Sequence, residues 1–209
     1  MIGETEDESA LYLSEVNFID REVGRLVKWL EQNGGLEKTV LMVTNDHGEG
    51  FGRHSVFEHG VSAFESIIHA PGFIVAPKLT PGTFPHVTAH RDVAATVLGA
   101  FGLVSKYPEI ESFGRSWLRL RSARENPLHE FVVSYETSSH FERWADAPMV
   151  SIVDDRGKLS VSYLHSVVRY YRLDADPGEE FELSFVRPAE AAQYRDKLEL
   201  FRDIDTPPP

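Results

Sequence analysis

The sequence predicts an α/β fold: a partial, mainly parallel sheet flanked by helices, followed by a small antiparallel sheet with a C-terminal helix. Three observations carry that expectation. Helical and strand patterns alternate through the first part of the chain, which is the order of an α/β layered fold. The apolar runs there are continuous, as in strands buried on both faces. After about residue 125 the pattern changes to short runs rich in Val, Ile and Tyr, joined by hairpin chemistry. The division expected is 1–125 for the α/β part and 126–209 for the antiparallel part.

The elements follow in order. Residues 1–8 are acidic and read as a frayed end. Tyr12, Val16, Ile19, Val23, Leu26, Val27 and Leu30 then recur at helical spacing and form one apolar stripe, stopped by Asn33-Gly34-Gly35. Thr39 to Thr44 and Phe73 to Ala76 read as buried strands, the second closed by Pro77. A helix is expected from about His90 to Phe101, with Val93, Val97, Leu98 and Phe101 on its inner face and Gly102 at its end. Strands are expected at Glu130–Tyr135, Met149–Val153, Lys158–Tyr163 and Val167–Leu173. Asp154-Asp155-Arg156-Gly157 turns between the second and third. Pro188 to Arg202 reads as a last helix with Ala192, Leu198 and Phe201 inward, and the Pro207-Pro208-Pro209 tail cannot extend it.

Composition narrows the chemistry. With 42% hydrophobic and 26% charged residues, the 209-residue chain has an ordinary globular balance. The net charge of −12, with Lys and Arg scattered singly, gives no nucleic-acid-binding face. An acidic surface also repels anionic substrates, so a sulfate or phosphate ester site would need a local positive centre, usually a divalent metal. Cys is absent, which excludes disulfides, thiolate metal sites and a Cys nucleophile. The first eight residues lack a basic n-region and an apolar core, and no run reaches the length of a membrane span. A soluble chain is expected, with no signal peptide or transmembrane segment; localisation stays open.

Asn45-Asp46-His47-Gly48-Glu49 directly follows the first strand. In open α/β sheets ligands bind beyond the carboxyl ends of strands. Asp46 and His47 can each offer one ligand atom to a divalent ion there, and Gly48 lets the backbone turn near the bound group. The plainer alternative is that Asp46 caps a turn and His47 is a loop residue. Two more histidines follow: His54, which reads as a solvated loop residue, and His59 within Phe57-Glu58-His59-Gly60. A His beside a metal centre can bind an anionic oxygen or protonate a leaving group.

These residues resemble the carboxy-terminal half of sulfatases, in the alkaline-phosphatase superfamily. The resemblance runs through Asp20-Arg21-Glu22-Val23-Gly24-Arg25-Leu26, Gly35-Leu36-Glu37-Lys38-Thr39, Asp46-His47-Gly48-Glu49 and Phe57-Glu58-His59-Gly60. It continues in Asp92 to Leu98, where Ala95 replaces the family's usual Pro, and in Gly114-Arg115-Ser116-Trp117-Leu118. It ends in Tyr171-Arg172-Leu173-Asp174-Ala175-Asp176-Pro177-Gly178-Glu179, where Arg172 replaces the usual Asp.

The resemblance implies a metal-dependent sulfuric ester hydrolase. Asp46 and His47 match two ligands of the single divalent metal: Ca²⁺ first, with Mn²⁺ or Zn²⁺ as alternatives. His59 matches the Lys or His that contacts the sulfate and the leaving oxygen, so it carries both the catalytic and the substrate-binding expectation. Asp92 and the Asp174–Glu179 signature are expected to fix helix ends and turns.

The family's nucleophile lies upstream, in Cys- or Ser-x-Pro-x-Arg, whose first residue becomes formylglycine. Thr83-Phe84-Pro85-His86-Val87 lacks the Arg and follows the Asp-His pair, so it reads as a loop. The expected partners are a sulfate or phosphate ester and a missing amino-terminal half, companion chain or oligomer. The alternatives are a phosphodiester or phosphonate-ester hydrolase or head-group transferase of the same superfamily, and a non-catalytic, degenerate domain. Tyr135, His140, Phe141 and Trp144 could line a pocket or simply pack. Relatives are often exported.

Overall fold

A computed structural model describes residues 2–60, 62–119, 127–136, 149–162 and 165–202. The elements are α1 (Ile2–Gln32), β1 (Leu41–Thr44), α2 (Glu65–Ile68), β2 (Gly72–Val75), α3 (Arg91–Ala100), α4 (Ile110–Phe113), β3 (Val132–Glu136), β4 (Met149–Val153), β5 (Lys158–Ser162), β6 (Val167–Tyr171) and α5 (Pro188–Arg202). They fall into two compact units. The first is Met1–Glu58, Ala70–Phe84 and Ala89–Glu125; the second is His59–His69, Pro85–Thr88 and Asn126–Pro209.

In the first unit, helix α1 starts at Ile2, so the acidic run read as frayed is helical backbone. Negative charge suits a helix amino terminus. The predicted stripe is half-buried at Tyr12, Val23, Val27 and Leu30, while Val16, Ile19 and Leu26 are exposed. Gly34 takes the left-handed conformation (φ 59°) that ends the helix, and the Gly35 N–H bonds to Leu30 O at 2.8 Å.

Strands β1 and β2 pair antiparallel, Leu41 opposite Val75 and Thr44 opposite Gly72. The parallel pairing expected of them is not what they form. Nor are they buried on both faces: β1 is half-buried throughout, and Phe73 and Val75 of β2 are exposed. Among the described residues the ribbon has only these two strands, so no further strand covers its edges.

Helix α3 turns a different face inward from the one its apolar residues suggested. Asp92, Ala95 and Thr96 are buried, whereas Val97 and Phe101 are exposed. The reason is polar. Asp92 accepts the N–H groups of Ala89 (2.8 Å) and Arg115 (2.7 Å), and Thr96 Oγ1 accepts that of Trp117 (2.9 Å). Gly114 permits the approach, since a Cβ there would lie 2.3 Å from Arg91 O. Asp92 thus fixes a helix start and a turn, the roles expected of it.

In the second unit, β3-β4-β5-β6 form an antiparallel meander with every neighbour hydrogen-bonded. At the β4–β5 turn, Asp154 Oδ1 accepts the Arg156 (2.9 Å) and Gly157 (3.0 Å) N–H groups and the Tyr194 hydroxyl (2.5 Å). Helix α5 packs on this sheet. Ile152, Leu159, Val161, Tyr170, Ala191, Tyr194 and Leu198 form the core. The inward residues of α5 are Ala191, Tyr194 and Leu198, so Ala192, expected inside, is exposed. Tyr135 is exposed; His140, Phe141, Trp144 and the Pro207–Pro209 tail lie outside the described residues.

Candidate functional site

Strand β1 delivers the chain to Asp46 and His47. The Asn45 N–H still bonds to Pro71 O (3.4 Å), extending the ribbon one step past Thr44. Beyond it the backbone leaves the ribbon, and Asp46 is exposed with His47 half-buried beside it. Asp46 Oδ1 accepts the His47 N–H at 3.0 Å, and Oδ2 lies 3.6 Å from His47 Nε2. His47 Nδ1 contacts Gly48 O at 2.8 Å. In the tautomer this contact selects, Nδ1–H donates to the carbonyl and Nε2 carries the lone pair. That arrangement suits a metal-ligating imidazole, whose other nitrogen is held by a backbone acceptor.

Two donors bound to one ion at about 2.0–2.6 Å, near a right angle, stand roughly 3–3.7 Å apart. The 3.6 Å between Asp46 Oδ2 and His47 Nε2 is compatible with that spacing. Among the described residues no group of three or more His, Asp and Glu side chains is arranged to hold a metal ion. The pair fits as part of a metal site and does not by itself complete one.

The loop after the pair is tightly wound. Phe51, Gly52, His54 and Ser55 have left-handed backbone (φ 47°, 81°, 51° and 63°). The Gly52 N–H reaches Val56 O at 2.8 Å, and a Cβ on Gly50 would sit 2.3 Å from that same oxygen. Left-handed non-glycine residues carry strain and recur at functional loops. His54 is half-buried in this turn. His59 is exposed, precedes Gly60 (φ 74°), and belongs to the second compact unit, whereas Asp46 and His47 belong to the first.

Two features here went unread in the sequence. His90 Nε2 meets Asn45 O at 2.7 Å, holding the residue before Asp46, yet a lone His at a helix start carries no local signal. In the second unit the buried Lys158 stands between Glu179 and Glu65, 2.6 and 3.1 Å away. Burial alone would raise the Glu65 carboxyl; His69 and Lys158 outweigh that and lower it. For Glu179, burial prevails over Lys158 and raises the carboxyl. The Glu65 carboxylate raises His69 in turn, by hydrogen bonding against the opposing effect of burial.

Residues 3–103 match the sulfatase family model. An arylsulfatase of Clostridium perfringens is 26% identical over 204 residues, 93% of this chain and 38% of that protein. A choline-sulfatase of Rhizobium meliloti is 23% identical over 80% of this chain and 31% of its own length. The chain therefore spans well under half of these relatives.

Among solved structures, a 2-O GAG sulfatase superposes with a TM-score of 0.72 at 19% identity, covering 88% of this chain and 40% of that one. A phosphonate monoester hydrolase of Silicibacter pomeroyi gives 0.68 at 21%, covering 90% and 39%. At such identities the structural likeness speaks for the fold, a mixed α/β architecture with helices and antiparallel sheets. The motif order, the family match over residues 3–103 and the sulfatase relatives agree, and residues 3–103 are a sulfatase-family segment.

Proposed function

We propose that this chain supplies part of the active site of a metal-dependent sulfuric ester hydrolase. Asp46 and His47 are two ligands of one divalent ion, and His59 is the group that meets the ester. The observation that carries the reading is the donor pair at the end of β1, 3.6 Å apart with His47 Nδ1 held by Gly48 O. Ca²⁺ is the first expectation for a hard oxygen-rich site, and the imidazole nitrogen would also accept Mn²⁺ or Zn²⁺. The remaining donors would come from outside the described residues. When bound, the ion supplies positive charge beside the ester oxygens. His59 would hold the proton that the bridging oxygen takes as the alcohol leaves.

The nucleophile, formylglycine in this family, is assigned to residues outside this chain, which has no Cys. The β1–β2 ribbon would then be one margin of a larger, mainly parallel sheet. The half-exposed apolar faces of both strands support that reading. We further place the boundary between an α/β part and an antiparallel subdomain near residue 125.

Mn²⁺ titration followed by NMR tests the metal assignment and tolerates weak binding. Paramagnetic broadening should begin at residues 45–49, and Asp46→Ala should remove it. Broadening with no such preference, or unchanged by Asp46→Ala, would sink the assignment and favour a non-catalytic domain. Among active alternatives, phosphonate or phosphodiester hydrolysis is favoured by the likeness to the phosphonate monoester hydrolase fold. Comparing sulfate and phosphonate monoesters on the assembled enzyme separates the two. A preference for the phosphonate by orders of magnitude would replace the sulfatase reading.

A further inference from the structure

Lys158 is fully buried in β5. A buried ammonium is costly unless its charge and donors are matched. Its Nζ donates to Ala63 O at 2.7 Å and to Glu65 Oε1 at 3.1 Å. It pairs with Glu179 Oε1 at 2.6 Å, an ion contact rather than an aligned hydrogen bond. Glu179 Oε2 in turn accepts the Glu65 N–H at 2.6 Å.

These contacts converge on one short segment, Ala63 to Glu65. Its apolar side chains add to the hold. Ala63 and Phe64 are buried, and the Phe64 ring lies 6.3 Å from that of Tyr171 and 5.6 Å from the Arg169 guanidinium. Glu65 also faces His69 at 3.4 Å. The segment begins four residues after His59, across Gly60. A Met at 158 could fill the same volume without burying charge, so packing alone does not account for the ions. What they add is registry, a fixed place for the Ala63 carbonyl and the Glu65 amide on the sheet. Glu179 is set for this by left-handed backbone (φ 58°), rare for a non-glycine residue.

We propose that Lys158 and Glu179 are positioning residues for His59: by gripping the Ala63 carbonyl and the Glu65 amide, they fix where the His59 loop leaves the antiparallel sheet. The proposal rests on the reading of His59 as the group that meets the ester. It also gives the Glu of the Asp176-Pro177-Gly178-Glu179 turn a task beyond closing that turn.

The test uses the full chain, with the His59 ring resonance assigned through His59→Gln. Lys158→Met and Glu179→Ala should each lower amide protection at Glu65 and Ile67 by about tenfold or more, and shift the His59 resonance. Glu179→Gln keeps an acceptor for the Glu65 N–H and should leave both near wild type. Glu179→Ala leaves Lys158 paired with Glu65, so it keeps the test open should Lys158→Met fail to fold. Lost protection with an unmoved His59 resonance would overturn the proposal and reduce the cluster to a stabilising one. In the assembled enzyme, Glu179→Ala should lower kcat by about tenfold with little change in KM. An assembled enzyme inactive on every ester would overturn the functional reading, while the NMR result would still decide the positioning of the loop.

Discussion

At Asp92 two backbone N–H groups, from Ala89 and Arg115, converge on one buried carboxylate. Truncation to Ala would strand both donors away from water. Asp92→Ala should cost about 2–4 kcal/mol, read as a drop in urea midpoint, and Asn should cost less because it keeps one acceptor. A loss below about 0.5 kcal/mol would mean water replaces the carboxylate. For His59 the expectation is kinetic. His59→Ala in the assembled enzyme should lower kcat by about 10²–10⁴-fold, and an unchanged kcat would remove it from the acid's role. Legibility differs sharply among these residues. Asp46 and His47 stand out in the sequence as candidates because they abut a strand end, a position with chemical meaning of its own. Lys158 does not, since its partners Ala63, Glu65 and Glu179 are distant in sequence and only folding brings them to it.

The antiparallel sheet and α5 form the element whose packing is most complete. Leu198 is 1% exposed within that core, so Leu198→Ala should cost about 2–5 kcal/mol by denaturant unfolding. The tyrosines of the element set its alkaline limit. Burial, then the Glu190 carboxylate, pushes Tyr170 up to about 12; burial pushes Tyr171 up to about 12 as well. Burial and the Asp154 carboxylate push Tyr194 up too. In each case the folded state favours the neutral phenol. The contribution to stability is therefore fully present below the ordinary value of 10 and is lost as pH rises through about 12. Tyrosinate absorbance should show these three groups ionising together with unfolding. A single ionisation of all seven near pH 10 would contradict the packing. This sheet was legible because its turns are local, with Asp154 and Gly157 adjacent in sequence to the strands they join. The direction of the β1–β2 pairing was not, because an apolar run does not encode which way its neighbour points. The face of α3 was misread for a related reason, since Asp92 and Thr96 are drawn inward by backbone donors far along the chain.

Across the whole molecule the two units differ in how they are held. Among the described residues, the first buries Ala95 and Trp117 around a polar set of Asp92, Thr96 and Ser116, while apolar Leu11, Leu13, Phe18 and Trp29 of α1 stay exposed. The second buries Met149, Ile152, Leu159, Tyr170, Tyr194 and Leu198, with every residue of β5 buried. Cooperative stability follows buried apolar contact, so the units should open at different free energies. Hydrogen exchange on the full chain should show β5 amides exchanging at least about 100-fold more slowly than those of β1 and α1. If the chain is one portion of a sulfatase-length protein, joining it to the remaining portion should protect α1 and β1 far more than β5, because only the former have apolar surface left to bury. Equal protection in both units of the isolated chain would mean that the first is stable on its own, and the exposed face of α1 would then no longer argue for a missing portion.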